Sequence, residues 1–456
     1  MNCNPNNIPK RWAIVCTCLI LAACGDDPEQ VTPDIMKLPA YTAIAPTQTP
    51  TIEAQAIQEE KSVPTAPAAS IQISATAPPA LTSTAISTNP TVTQPPSPTR
   101  TTSTTEDLIG PHTYPAGVNP LNGLPVADIT VLQRRPLAIK VSNFPRTVRP
   151  QSGLAAADLV WEHYAEGGTT RFTAIFYSKD SGRVGSIRSA RLIDTTLTEM
   201  FSGALVASGM SDGTLERLQQ KSWYPAVITE STGFGCPPIC REGQSANAVF
   251  ASTADVWQTL SALEINTTPS IKGLAFQSIT PAGGGAGTRV RVDYSREAYS
   301  EWRYNAADSN YMRWAETSPA EIVPHYDANT GTQLTAENIV ILFANHVVDS
   351  NVPEDYAADG IHAAFATEIQ LWGSGPALIF RDGQAYSVTW VRMDSADMPF
   401  LVDPLNNSVP LRPGKTWFHT NGLSSERTQQ GGEWTITHHS PYDWGKLILP
   451  TPGAGG

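Results

Sequence analysis

Ala157-Asp158-Leu159-Val160-Trp161-Glu162-His163 is followed, after Tyr164-Ala165-Glu166-Gly167-Gly168, by Thr169-Thr170-Arg171-Phe172-Thr173-Ala174-Ile175-Phe176-Tyr177. Both stretches are rich in β-branched and aromatic residues and read as strands. In the second, Arg171, Thr173 and Ile175 share one face and Phe172, Ala174 and Phe176 the other, because successive side chains on a strand point opposite ways. Outward from this pair, residues 136–141 (Pro-Leu-Ala-Ile-Lys-Val) read as a buried strand and residues 204–208 as a short apolar one. Helical spacing over 190–200, 214–220 and 253–263 sets helices among the strands. Such alternation predicts an α/β layered N-terminal lobe over residues 109–280.

Beyond it, Gly283-Gly284-Gly285-Ala286-Gly287 lacks the flanking strand and helix of a phosphate-cradling loop and is expected to be a flexible surface loop. Alternating or apolar runs at 289–294, 338–346, 369–372, 377–381, 384–391 and 415–419 read as strands, and 301–314 as a hairpin around Ala307-Asp308-Ser309-Asn310. The second lobe, residues 288–450, is therefore expected to be mostly β. The whole globular part is a mixed α/β (α+β) fold of two lobes.

Upstream, Lys10 and Arg11 precede an apolar run that ends Leu21-Ala22-Ala23-Cys24-Gly25. The run is about a dozen residues, short of the ~20 a membrane span needs but right for a signal peptide. Small residues before Cys24 fit a lipobox, so residues 1–24 are expected to be a lipoprotein signal and Cys24 the lipidation site. The expected location is extracytoplasmic, anchored to the cell membrane. Residues 25–108 are dominated by Thr, Pro, Ser and Ala. They bury too little apolar surface to fold and are expected to form a disordered linker.

A net charge of −12 with only 16% charged residues excludes nucleic acid as a partner, which calls for a basic face, and leaves membrane attachment to the lipid on Cys24. Cys236-Pro237-Pro238-Ile239-Cys240 is expected to close a local disulfide,. The eight histidines show no metal-ligand spacing,, and no metal or cofactor is expected.

The densest polar cluster spans 158–212. Arg188 and Arg191, three apart near a helix start, would share a face, and strand pairing could bring Arg171 to them,. Guanidiniums bind carboxylates and phosphates in forked geometry, Ser186 and Ser189 add hydroxyls at the helix start, and Gly167 and Gly168 allow close backbone approach. The competing reading is an internal ion-pair network with Asp158, Glu162, Glu166 and Asp194. Glu162 and Glu166 are the weak candidates for an acid/base pair.

Asn119-Pro120-Leu121-Asn122-Gly123-Leu124-Pro125, Arg149-Pro150-Gln151-Ser152-Gly153-Leu154, Glu166-Gly167-Gly168-Thr169-Thr170-Arg171-Phe172 and Val184-Gly185-Ser186-Ile187-Arg188-Ser189-Ala190-Arg191 follow one another in that order. Leu371-Trp372-Gly373-Ser374-Gly375-Pro376-Ala377 and Pro413-Gly414-Lys415-Thr416-Trp417 continue the series. The succession, over roughly 115–420, resembles the YerB-like lipoproteins, a bacterial family with an N-terminal and a C-terminal part of unknown function. Ala246-Asn247 stands where that resemblance would place a His-Asn pair. The resemblance implies a lipid-anchored envelope protein with a two-part fold and no established activity. The residues themselves point to a non-enzymatic protein binding an anionic or glycan envelope ligand through Arg171, Arg188, Arg191, Ser189, Gly167 and Gly168. The alternatives are an envelope hydrolase using Glu162/Glu166 and a scaffold for a protein partner.

Overall fold

The computed structural model describes residues 108–356 and 362–440, all within the compact unit Ser97–Gly456. The expected signal peptide, Cys24 and all but the last residue of the 25–108 linker lie outside the described residues. Among the described residues no helix is long and apolar enough to cross a membrane.

A twelve-stranded mixed sheet draws on both halves of the chain. Its main path runs Phe400–Val402, Gln384–Arg392, Gly373–Arg381, Asn338–Tyr356, Thr416–Gly422, Leu159–Ala165, Thr169–Phe176, Leu137–Ser142, Ala204–Val206, Val227–Ile228. The seam between the halves is the parallel pairing of Leu159–Ala165 with Thr416–Gly422, which sets Glu162 opposite His419. Every residue of Leu159–Ala165 is buried. Val160 and Tyr164 point into one core, Leu159 and Trp161 into the other, so both faces of the strand are covered and its apolar run is nearly continuous.

The first core lies against a seven-stranded sheet containing Tyr299–Asn305, Arg289–Asp293 and Glu433–Thr437. Phe172, Phe380 and Trp417 cluster there with Val290, Trp302 and Ile436. The opposite face is covered by α1 (Leu192–Met200), through Ile193, Leu197 and Met200, and by the segments carrying Leu121, Phe276 and Leu411. Helix α2 (Asp212–Gln219) contacts α1, and α3 (Thr253–Ala262) sends Val256, Trp257 and Leu260 into the first core.

The helices expected from spacing are therefore present, but the α/β layered N-terminal lobe is corrected. Three α-helices of nine, eight and ten residues among the described residues cannot layer a sheet of this width, and the described residues are mostly β. The physical reason is non-local. Periodicity reports which residues face a core, not whether a helix or a second sheet covers them.

Two further expectations change. Instead of a free surface loop, the glycine run at 283–287 contributes the short strand Gly285–Ala286, which pairs with Gln384 and Ala385. The strand expected over 338–346 continues as Asn338–Tyr356 and forms a long hairpin with His362–Gln370.

Candidate functional site

The start of α1 and the start of α2 meet at a cavity of about 470 Å³ lined by Arg171, Arg188, Arg191, Glu166, Ser211 and Glu354, among others. Arg171 reaches it from the Thr169–Phe176 strand. Arg191 is the N-cap of α1, held there because its backbone N–H donates to Asp194 Oδ2 at 2.7 Å. Ser211 is the N-cap of α2. The N-terminal ends of two helix dipoles thus add positive potential to three guanidiniums.

The arginines converge as the sequence suggested, but they differ in their partners. Arg191 is doubly paired: its Nε lies 2.6 Å from Glu166 Oε2 and its Nη1 3.1 Å from Glu354 Oε2. Arg171 donates from Nη1 to the Ser189 carbonyl at 2.6 Å and has no carboxylate within ion-pair distance among the described residues. Burial, reinforced by Arg191 and Arg188, pushes its guanidinium down to about 9. Arg188 has no side-chain hydrogen bond or ion pair among the described residues, and its Nε is buried without a partner. Burial and then Arg191 lower this group as well. Three cations thus stand against two carboxylates, and both carboxylates sit on the same cation.

The other expected site residues divide. Gly167 lines the cavity. Gly168 instead presents its carbonyl to Ser295 Oγ at 2.6 Å, a contact with the segment after the Arg289–Asp293 strand. Ser189 contributes its carbonyl, as described above. Ser186 does not line this cavity and donates from Oγ to the Asn247 carbonyl, in a different depression with Arg149 and Arg183. Cys236 and Cys240 are joined as a disulfide.

The acid/base pairing of Glu162 with Glu166 does not form. Glu162 is 2% exposed and points into the first core, where Arg313 Nη2 donates to it at 2.8 Å, Thr170 Oγ1 at 3.1 Å and Trp417 Nε1 at 3.3 Å. Burial pushes its carboxyl up, but Arg313, His419 and these hydrogen bonds outweigh that and hold it below the ordinary range. Glu166 belongs to a turn, Glu166–Gly168, outside the strand, and faces the arginine cavity. The two carboxylates share no accessible surface, and a substrate cannot touch both.

Sequence reading missed a third polar cluster. Lys140 Nζ, fully buried, lies 2.8 Å from Asp194 Oδ1, 2.5 Å from His163 Nε2 and 3.1 Å from Thr173 Oγ1. Burial, opposed by Asp194, lowers the ammonium to about 8. The signal was a lysine within Pro-Leu-Ala-Ile-Lys-Val, where a buried charge requires a partner. The motif around Asn119 and Asn122 is structural: both amides donate to Asp158 Oδ1 at 2.9 Å, and Tyr177 N, Ser178 N and Ser178 Oγ complete its shell.

Residues 121–266 match the N-terminal domain of a family described as a protein of unknown function (DUF3048), and residues 290–418 match its C-terminal domain. YerB of Bacillus subtilis (strain 168), provisionally described as a lipoprotein, is 30% identical over 310 residues, which is 66% of this chain and 85% of that protein. A crystal structure of YerB from Bacillus subtilis is similar with a TM-score of 0.55 at 28% identity, covering 66% of this chain and 96% of that one. The arginine cavity takes Glu166, Arg171, Arg188, Arg191 and Ser211 from the first matched region and Glu354 from the second.

Proposed function

The chain belongs to the two-part DUF3048 family that includes YerB, and from that premise we propose that it is a lipid-anchored extracytoplasmic protein that binds an anionic ligand of the cell envelope in the arginine cavity. The lipobox ending at Cys24 and the description of the Bacillus subtilis relative support the anchoring. One observation carries the binding reading: Arg171 and Arg188 line a cavity at two helix starts without an ion-paired carboxylate of their own among the described residues. Burying cations without a paired counter-charge is unfavourable, so an anion entering the cavity is stabilised by guanidiniums that no carboxylate ion-pairs among the described residues, Glu166 and Glu354 acting on Arg171 only at longer range. The guanidinium of Arg188 and the remaining N–H groups of Arg171 suit oxyanions, whether phosphate or the carboxylate of an acidic glycan.

The test is thermal stability of the purified protein against inorganic phosphate, sulfate, carboxylates and muropeptides. A ligand that binds only the folded state raises stability by about 2.7 kcal/mol at a hundredfold excess over Kd. The expected result is a shift with oxyanions that Arg188→Ala removes while leaving the unliganded protein folded. Equal shifts in the Arg188→Ala protein, or none with any anion, would overturn the reading and favour a scaffold for a protein partner. For the anchoring, Cys24→Ala is expected to move the protein from the membrane fraction to the soluble one.

A further inference from the structure

We infer that Glu354 occupies the place of a bound oxyanion's acidic group, so that the ligand of the arginine cavity binds by displacing the strand that carries it. This inference rests on the anion-binding reading above. Glu354 Oε1 accepts from Ser211 Oγ at 2.9 Å and from Thr214 Oγ1 at 3.1 Å, and Oε2 lies 3.1 Å from Arg191 Nη1. Two hydroxyls and a guanidinium at the first turn of a helix make a built oxyanion cradle. The carboxylate filling it comes from the other half of the chain.

Its hold on the cradle is weak in three respects. Arg191 already has Glu166, so Glu354 is a second carboxylate on one cation, while Arg171 and Arg188 have no ion-paired carboxylate among the described residues. The strand bearing it, Asn338–Tyr356, loses regular register against His362–Gln370 between Asp349 and Tyr356. Its nearest apolar anchor is the small cluster of Val352 with Leu192 and Ala366, beside Gly213 of α2. An anion that also engages Arg171 and Arg188 would gain contacts that Glu354 does not make.

Displacement of an acid by an acid depends on pH. The charged groups around Glu354 are Arg191 at the start of α1, Arg171 on its strand, Arg188 and Glu166, and Asp212 opens α2. Ser211 and Thr214 do not titrate. Burial raises the Glu354 carboxyl, whereas at Glu166 burial is outweighed by Arg191 and Arg171, which hold it below the usual range. Glu354 is therefore the group that takes a proton first on acidification, and protonation weakens its claim on Arg191.

Sulfate is the probe, because it remains a dianion throughout. Its dissociation constant is to be measured by calorimetry at about pH 7.5 and about pH 5, since the raised Glu354 carboxyl takes up protons at higher pH than an ordinary glutamate,, for the unaltered protein and for Glu354→Gln. The unaltered protein is expected to bind about tenfold more tightly at the lower pH, and Glu354→Gln to bind about tenfold more tightly at the higher pH with little pH dependence left. Hydrogen exchange in residues 338–356 should rise when sulfate binds. The inference is overturned if Glu354→Gln binds sulfate no more tightly than the unaltered protein, or if sulfate binds without changing exchange in that strand. Loss of binding in Arg188→Ala, with Glu354→Gln unchanged, would sink this inference alone. Absence of sulfate binding in every form would sink the anion site with it.

Discussion

Replacing Arg313 by methionine should be among the most damaging single changes to this fold. Arg313 and Glu162 are 1% and 2% exposed and form an ion pair at 2.8 Å across the two sheets. Arg313 also lies 2.6 Å from His325 Nδ1 through Nη1 and stands over Trp417, Phe172 and Trp302 at 5.0, 5.4 and 5.6 Å. Methionine keeps most of the stem's packing, so the loss is mainly electrostatic. Glu162 would keep Thr170 and Trp417 as donors but lose its counter-charge. Leaving one partner of a buried pair uncompensated costs about 3–5 kcal/mol, whereas replacing both by neutral groups of similar volume is often near neutral. Urea denaturation of Arg313→Met, Glu162→Gln and the double variant closes the cycle. The double variant should recover most of the Arg313→Met loss. The pH dependence has a defined sign. In the native protein Glu162 is held below its unfolded value, so its contribution is fully present above that value and lost as pH falls through the lower, folded one,. In Arg313→Met, burial without a cation raises the carboxyl, so the deficit is greatest near neutrality and shrinks on acidification. An Arg313→Met protein within about 1 kcal/mol of the native one, below the low end of that range, or a double variant no better than the single one, would refute the reasoning.

Acid should weaken the protein steeply for a second reason. His419 is fully buried, accepts from Trp302 Nε1 at 3.1 Å and is pushed by burial from 6.5 down to about 4. The unfolded chain therefore binds the proton first, and stability falls as pH drops from about 6.5 to about 4. The slope is about 1.4 kcal/mol per pH unit for this one group, roughly 3 kcal/mol in all. His163, His325, His346 and His438 are lowered by burial too, so His419→Gln should reduce the slope in that window by its own share in denaturant titrations, and an unchanged slope would exclude a contribution from His419. Gly123→Ala is expected to cost about 2–5 kcal/mol: φ is +69° and a Cβ would come within 2.5 Å of Phe276 Cγ, combining backbone strain with overpacking,. A melting temperature within error of the native protein would contradict this.

The local elements were legible in the sequence because their signals are local. Strand alternation over 169–177 sorted Phe172, Ala174 and Phe176 from Ile175 as the two cores do, and spacing located all three helices among the described residues. The cysteine pair and the crowding of arginines at 171, 188 and 191 were legible too, since short separations restrict where a chain can go. The tertiary structure alone decided what covers each face, because a strand's pattern records burial and not the identity of its neighbour. It likewise decided that Glu162 is sealed against Arg313, 151 residues away, while Glu166 faces the cavity. It also placed Glu354, from beyond the end of the expected strand, beside Arg191. Charges pair through space, and the Coulomb energy that fixes a partner depends on distance and burial, neither of which is written along the chain.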